Sequence, residues 1–285
     1  MDDLVYTRAT SIDEALSLLD RHGSKAQLLA GGTDVVVGLR EGRLAARVLV
    51  GIEALEGLRE IRVDGGDLEI GAGVTFTTLA GDPLVRELAP ALAEAASLVG
   101  SPQVRNRGTL GGNLGTASPA GDTFAPLLAH EARVSLLSRD SRRTLSIDKY
   151  LTYRQATCVE RQNLIDRVLV PIPREAAFRS VFVRLGRRNA LAVSRMNLAL
   201  LVAFEAERPV RARMVLGAVG LVPVLVDGAE KEILTERGNE LVRGTVGCAA
   251  AAVAGSLGDR PSAPYKTRAV ESLVREGLRR CGLID

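Results

Sequence analysis

The residues best suited to binding a ligand lie together in residues 108–122, which read GTLGGNLGTASPAGD. The five glycines of this segment let a ligand approach the backbone closely and allow positive φ angles. Its hydroxyl, amide and carboxylate side chains supply hydrogen-bonding groups around that backbone. Because almost nothing in the segment could fill a hydrophobic core, it predicts a loop that wraps a cofactor.

A second glycine-rich turn, residues 30–34 (AGGTD), also follows an apolar stretch. Successive backbone N–H groups can hold a diphosphate without a lysine beside it, and none of the four lysines lies in either segment. Neither segment matches G-x-G-x-x-G or G-x-x-x-x-G-K-[ST], which excludes the Rossmann and P-loop sites. Taken alone, Gly31 and Gly32 are about equally compatible with a plain tight turn.

Periodicity and capping predict the elements that must position these two segments. Ser11, with Glu14 three residues later, predicts a capped helix start. A long helix is predicted over residues 82–98, directly before the glycine segment, and Ser118-Pro119 predicts the start of another helix after it. The predicted strands are residues 27–30, 47–52, 68–72, 134–137, 144–147, 168–170, 196–204 and 214–219, and further helices are predicted at 249–254 and 270–278.

Composition narrows the classes of function. The chain has 285 residues, of which 46% are hydrophobic, which predicts a globular protein, and its net charge of +3 is too balanced to indicate a nucleic-acid partner. The sequence shows no apolar signal-peptide core, so we expect a cytoplasmic protein. No uncharged apolar run is long enough for membrane insertion. The three cysteines and two histidines lie far apart, so we expect no metal site in this chain.

The two glycine segments together resemble a known family. LLAGGTD at residues 28–34 and R-N-x-x-T-L-G-G-N-L-x-x-A-S-P-A-x-D at residues 105–122 are similar to the FAD-binding (medium) subunit of the molybdenum hydroxylases. This family includes the xanthine dehydrogenase, aldehyde oxidoreductase and carbon monoxide dehydrogenase types. Residues 182–188 and 217–224 resemble its C-terminal segments, so the resemblance covers essentially the whole chain.

The resemblance implies an α+β fold in two domains. Residues 1–173 would form a two-subdomain FAD-binding domain of the PCMH type, as in vanillyl-alcohol oxidase. Residues 178–285 would form a small C-terminal domain in which an antiparallel sheet packs with helices. Pro171 and Pro173, the best candidates for a linker, agree with a boundary at this point.

The resemblance also implies where FAD binds. Residues 27–34 and 109–113 would supply the main backbone contacts, and three polar side chains after them would bind ribityl or diphosphate oxygens. Residues 163–165 would place backbone beside the isoalloxazine ring. Arg184, and less specifically Arg195, are basic candidates near the flavin, although a role at the surface or at a sheet edge is equally compatible with both. The expected FAD-binding residues are Gln27, Leu28, Leu29, Ala30, Gly31, Gly32, Thr33, Asp34, Thr109, Leu110, Gly111, Gly112, Asn113, Thr116, Ser118, Asp122, Leu164, Ile165 and Arg184.

The implied function is that of an oxidoreductase subunit without a catalytic residue of its own. It would relay electrons from the [2Fe-2S] clusters of a small partner subunit to NAD, oxygen or quinone, while a large molybdopterin subunit hydroxylates the substrate. A dimer of such heterotrimers is expected. Thr33-Asp34 in the first turn favours the xanthine, aldehyde or N-heterocycle type over the carbon monoxide dehydrogenase type.

Two alternatives remain open from the sequence. One is a self-contained flavin oxidoreductase of the wider FAD superfamily, which would need a substrate domain with its own acid or base. The other is a binding module that has kept the fold and lost the flavin. The polar residues among the glycines of residues 108–122 argue against that second alternative.

Overall fold

The computed structural model describes residues 4–157, 163–175, 177–186 and 193–285. The strands are β1 (Val5–Arg8), β2 (Ala26–Leu29), β3 (Val48–Gly51), β4 (Ile61–Asp64), β5 (Asp67–Gly71), β6 (Arg133–Leu137), β7 (Arg142–Ser146), β8 (Leu164–Pro171), β9 (Ala177–Leu185), β10 (Met196–Glu205), β11 (Arg208–Gly217) and β12 (Val224–Leu225). The α-helices are α1 (Ile12–His22), α2 (Val35–Arg40), α3 (Phe76–Gly81), α4 (Pro83–Leu88), α5 (Pro90–Ser97), α6 (Pro102–Arg107), α7 (Leu110–Thr116), α8 (Phe124–Ala129), α9 (Ile147–Thr157), α10 (Ala229–Thr235), α11 (Gly238–Leu257) and α12 (Ala263–Arg280).

The strands form three sheets in succession along the chain. The first has the order β1-β3-β2 and is parallel. The second has the order β4-β5-β8-β6-β7, and the third has the order β12-β11-β10-β9; both are antiparallel. This mixture of helices with separate sheets confirms the predicted α+β class.

Helix α1 begins as its sequence predicts. The Ser11 hydroxyl accepts a hydrogen bond from the backbone N–H of Glu14 at 3.1 Å, and the Glu14 carboxylate accepts one from the backbone N–H of Thr10 at 2.7 Å. The first interaction satisfies a donor that the helix start leaves without a partner, and the second fixes the residue before the cap. The apolar face of α1, including Leu19, packs on the first sheet and holds β2 in place before the first glycine turn.

Three expectations about the elements around the glycine segments are wrong. The helix predicted over residues 82–98 is divided into α4 and α5, because Pro90 lacks an N–H and forces Ala89 out of the helical region, to a φ of −144°. No helix starts at Ser118-Pro119: a turn forms there and α8 begins at Phe124. The segment predicted as a cofactor loop contains helix α7, which Thr109 caps at its first turn.

The third sheet packs directly against the part of the chain that carries the second sheet. Ala199, Leu201 and Val215 belong to the same buried cluster as Leu68 and Leu110. Phe182 of β9 is buried against Ala91 and Ala95 of α5 in a further cluster. The C-terminal sheet therefore forms one side of the region in which the glycine segments lie. Within the described ranges, no helix combines the length and the apolar character that crossing a membrane requires.

Candidate functional site

A cleft of about 1190 Å³ lies between the turn after β2 and the start of α7. Ordinary small-molecule pockets measure about 300–1,000 Å³, so this cleft has room for a ligand of dinucleotide size. Most of the residues predicted to bind FAD line it. These residues are Gln27, Leu28, Ala30, Gly31, Gly32, Thr33, Asp34, Thr109, Gly111, Gly112, Asn113, Thr116, Ser118, Asp122 and Ile165.

The first turn presents a run of unused backbone donors to the cleft. Within the described part of the chain, the backbone N–H groups of residues 30–35 make no intramolecular hydrogen bond. Gly32 has a φ of +77°, which a residue with a side chain rarely adopts, and this angle turns the backbone sharply before α2. Consecutive N–H groups in such a turn form a concave site with positive potential. The first turn can therefore hold an anion through its backbone.

The second segment differs, because its backbone donors are already used. The N–H groups of Leu110 and Gly111 donate to the carbonyls of Val74 and Ala72 at 2.9 and 2.8 Å, and that of Gly112 donates to the Thr109 hydroxyl at 3.0 Å. These bonds fix α7 to the end of β5 and to the turn after it. The main contribution that this segment can make to a ligand thus comes from side chains rather than from these backbone donors.

Asn113 and Thr116 are the side chains of α7 best placed for this purpose. The Asn113 carbonyl oxygen accepts a hydrogen bond from the Thr123 hydroxyl at 2.6 Å, while within the described residues its amide nitrogen has no partner. Thr116 donates to the Asp34 carboxylate at 3.0 Å and so ties α7 to the first turn. The two glycine segments therefore face one cleft and are joined across it.

The glycines of the cleft serve two different purposes. A Cβ atom on Gly31 would overlap the backbone carbonyl of Arg107, and one on Gly111 would lie 2.6 Å from the Cβ of Ala72. Both positions are glycine because backbone packs against backbone there. Gly112 is different: a Cβ would meet only the Thr109 hydroxyl, at 3.0 Å, and the residue is exposed toward the cleft. Gly112 is therefore the position at which a side chain would obstruct a ligand without disturbing the core.

Asp122 is a buried carboxylate at the wall of the cleft. One of its oxygens accepts hydrogen bonds from the Ser194 hydroxyl at 2.5 Å and from the Asn197 amide at 2.9 Å. The other oxygen lies 3.5 Å from a guanidinium nitrogen of Arg184. Burial raises the pKa of Asp122, and the two hydrogen bonds and the Arg184 charge oppose that rise.

Four of the predicted FAD-binding residues do not line the cleft. The side chains of Leu110 and Leu164 are fully buried in the apolar core, and Leu29 lies at the end of β2 beside the cleft. Arg184 is 94% buried behind the wall, where it donates to the backbone carbonyl of Leu98 at 2.7 Å and pairs with Asp122. Arg195 also lies outside the cleft, with its guanidinium 5.6 Å from the ring centre of Tyr265.

The cleft has a further wall that the sequence did not reveal. Arg143, Leu136 and Ile165 are paired in register across β7, β6 and β8, so their side chains lie in one row, and all three line the cleft. The Arg143 guanidinium lies 5.9 Å from the ring centre of Tyr153, which lines the cleft as well. The clustering of Arg139, Arg142 and Arg143 in the sequence could have indicated a basic wall, but only the strand register shows that Arg143 faces the cleft.

The residues present fit FAD. The unused N–H groups of residues 30–35 suit a diphosphate, and the polar side chains of α7 suit ribityl hydroxyls. Leu136, Ile165 and Val99 supply apolar surface for a ring system. Within the described residues, no group of three or more His, Cys, Asp or Glu side chains is arranged to hold a metal ion.

Comparisons with known proteins agree with this site. The family model described as the FAD binding domain in molybdopterin dehydrogenase matches residues 2–173. The nicotinate dehydrogenase FAD-subunit of Eubacterium barkeri is 30% identical, over 97% of this chain and 95% of that protein. A carbon monoxide dehydrogenase structure from Hydrogenophaga pseudoflava matches with a TM-score of 0.87 at 28% identity, over 98% and 96% of the two chains. Quinoline 2-oxidoreductase from Pseudomonas putida 86 matches with a TM-score of 0.84 at 25% identity, over 98% and 96%.

Proposed function

This chain belongs to the family of FAD-binding domains in molybdopterin dehydrogenases, and we propose that it is the electron-transfer subunit of a multi-subunit molybdopterin-dependent hydroxylase or dehydrogenase. It is an oxidoreductase subunit, and its cofactor is FAD. When bound, FAD supplies a group that accepts and releases one or two electrons. The part played by the protein is to bind and orient that group and to control access to it.

The observation that carries the proposal is the pair of glycine segments around one cleft. Residues 30–35 offer the unused N–H groups that would hold the diphosphate, and Gly112 leaves room for a ligand to approach. Asn113, Thr116, Ser118 and Asp122 would bind the polar chain of FAD, and Ile165 would contact the ring from β8. No general acid or base is required of this chain for that task.

The proposed partners are a large molybdopterin subunit and a small [2Fe-2S] subunit. The nicotinate dehydrogenase relative is itself named as an FAD-subunit, which supports an assembly of separate chains. We extend this to a dimer of heterotrimers that passes electrons to NAD, oxygen or quinone. Within this chain, residues 1–173 would be the FAD domain and residues 178–285 the C-terminal domain.

For the whole enzyme, we favour the N-heterocycle, xanthine or aldehyde type over the carbon monoxide type. Two of the matched proteins, over nearly their whole lengths, are named for nicotinate and quinoline, which are both nitrogen heteroaromatics. Thr33-Asp34 in the first turn supports the same assignment. The substrate itself would bind in the large subunit.

The direct test is to purify the chain alone and together with the proposed large molybdopterin subunit and small [2Fe-2S] subunit from the same organism. We expect the chain alone to be yellow, to bind one FAD and to oxidise no heteroaromatic substrate. Co-purification should add molybdenum and iron to the complex, measured by metal analysis, together with substrate oxidation. A chain that takes up no flavin even after reconstitution contradicts the proposal. A chain that oxidises substrate alone supports the self-contained flavin oxidoreductase instead.

A further inference from the structure

The C-terminal sheet carries a polar row directly behind the wall of the FAD cleft. Asn197 of β10 is paired in register with Arg184 of β9 on one side and with Gly217 of β11 on the other. A Cβ atom on Gly217 would lie 2.9 Å from the side-chain carbon of Asn197, so this glycine leaves the space that the amide occupies. Asn197 is a fully buried polar side chain in a sheet whose other buried side chains are largely apolar.

This row converges on Asp122, which comes from the other side of the cleft wall. Asn197 and Ser194 both donate to the same Asp122 oxygen, at 2.9 and 2.5 Å. Arg184 approaches the second oxygen at 3.5 Å and also binds the backbone carbonyl of Leu98, at the C-terminal end of α5. A buried carboxylate with one oxygen doubly hydrogen-bonded has a fixed orientation, because any rotation leaves a donor without its partner.

A contact that only holds the C-terminal sheet against the rest of the chain does not need to lie at the cleft. His130 and Ser180 form such a contact elsewhere, with His130 Nε2 2.9 Å from the Ser180 hydroxyl and both residues buried. Glu94 and Arg280 form another, with nitrogen–oxygen distances of 2.7 and 3.0 Å. Neither pair lines the cleft, whereas both Asp122 and Ser194 do.

We propose that Ser194 and Asn197 are positioning residues for FAD: they orient the Asp122 carboxylate toward the cleft and so couple cofactor affinity to docking of the C-terminal sheet. This rests on the proposed function, because it assumes that FAD occupies the cleft. By thermodynamic linkage, whatever binding free energy FAD gains from the oriented carboxylate also stabilises the docking of the sheet. The C-terminal part of the chain is thereby a component of the FAD site.

The experiment compares two matched serine substitutions at the same junction. Ser194→Ala removes a donor to Asp122, whereas Ser180→Ala removes a buried hydrogen bond away from the cleft. For the full-length chain, we expect Ser194→Ala and Asn197→Ala each to raise the FAD dissociation constant about tenfold, and Ser180→Ala to leave it within about twofold. Ser194→Thr, which keeps the hydroxyl, should restore the affinity. The visible circular dichroism of bound FAD should change in Ser194→Ala and in Asn197→Ala, but not in Ser180→Ala.

A double-mutant cycle identifies the route of the effect. Asp122→Asn should itself weaken FAD binding, and adding Ser194→Ala to it should then cause little further loss, because the hydroxyl acts through the carboxylate. Additive losses overturn the proposal, and so do equal effects of Ser194→Ala and Ser180→Ala. Circular dichroism and thermal denaturation of the FAD-free proteins show that each variant folds. If the wild-type chain binds no FAD, the proposed function fails first; if it binds FAD and Ser194→Ala binds equally well, only this inference fails.

Discussion

Replacing Gly31 with alanine should damage both the fold and the FAD site, because the methyl group has no space. The new Cβ would lie 2.5 Å from the carbonyl carbon of Arg107, and nearer still to its oxygen, whereas real Cβ contacts essentially never fall below 3.0 Å. The obstacle is backbone, which cannot move aside as the end of a side chain can. The first turn and the end of α6 must therefore separate by more than about 0.5 Å.

The size of the effect follows from this overlap. Overpacking of a well-packed region typically costs about 1–3 kcal/mol in the free energy of unfolding. A loss of about 2 kcal/mol lowers the melting temperature by roughly 4–8 °C in a chain of this size class. The displaced turn should also lose at least one N–H bond to the diphosphate, worth about 1.5–3 kcal/mol, which weakens FAD binding about tenfold or more.

Thermal denaturation and FAD titration measure both consequences. The matched control is Gly247→Ala, in the middle of α11, where a Cβ would meet nothing within 4 Å. That change should be neutral or should stabilise the chain by about 0.5–1 kcal/mol, because alanine favours a helix interior over glycine. If Gly31→Ala melts within a degree of the wild-type chain and binds FAD unchanged, the close packing of the first turn against Arg107 is incorrect.

Two further predictions concern the second glycine segment and a buried histidine. Gly112→Val should preserve the melting temperature of the FAD-free chain and lower flavin uptake at least tenfold. Gly111→Val should instead destabilise the FAD-free chain by about 1–3 kcal/mol, because its side chain would overlap Ala72. Thermal denaturation and flavin absorbance measure the two effects, and equal melting temperatures would contradict the close packing of Gly111 on Ala72. Burial lowers the pKa of His130 from 6.5 to about 4, so the unfolded chain takes up a proton in this range that the folded chain refuses. The free energy of unfolding should therefore fall by at most about 3 kcal/mol as the pH decreases from 6.5 to 4. His130→Gln should remove that part of the pH dependence, measured by denaturant titrations at several pH values. If the free energy of unfolding depends on pH in the same way in the variant, His130 is protonated in the folded chain.

The sequence predicted the local features well, because they depend on neighbours along the chain. The Ser11 cap, the alternation of β5 and the glycine turn after β2 all lie where short-range patterns indicate. The same reasoning missed the break at Pro90, since the apolar spacing of residues 82–98 continues across it. It also interpreted residues 110–116 as a loop, because glycine content favours loops unless a cap such as Thr109 and packing against Ala72 hold a helix together.

The sequence could predict which two segments form the site, but not which of their backbone and side-chain groups are available to a ligand. Strand register, which brings Arg143 beside Leu136, depends on pairings between distant residues. The role of Arg184 depends on the C-terminal sheet meeting Asp122, more than sixty residues away in the chain. Sequence alone also could not show that the N–H groups of residues 30–35 are unused while those of Leu110 and Gly111 are bonded.

That contrast between the two segments gives the most direct test of the central claim, that the first turn holds the diphosphate of FAD. Amide hydrogen exchange of the full-length chain should be measured without ligand, with FAD, and with riboflavin, which lacks the diphosphate. We expect FAD to slow exchange at residues 30–35, riboflavin to leave it unchanged, and residues 110–113 to be protected even without ligand. If FAD binds and residues 30–35 exchange as fast as before, the account of this site is contradicted.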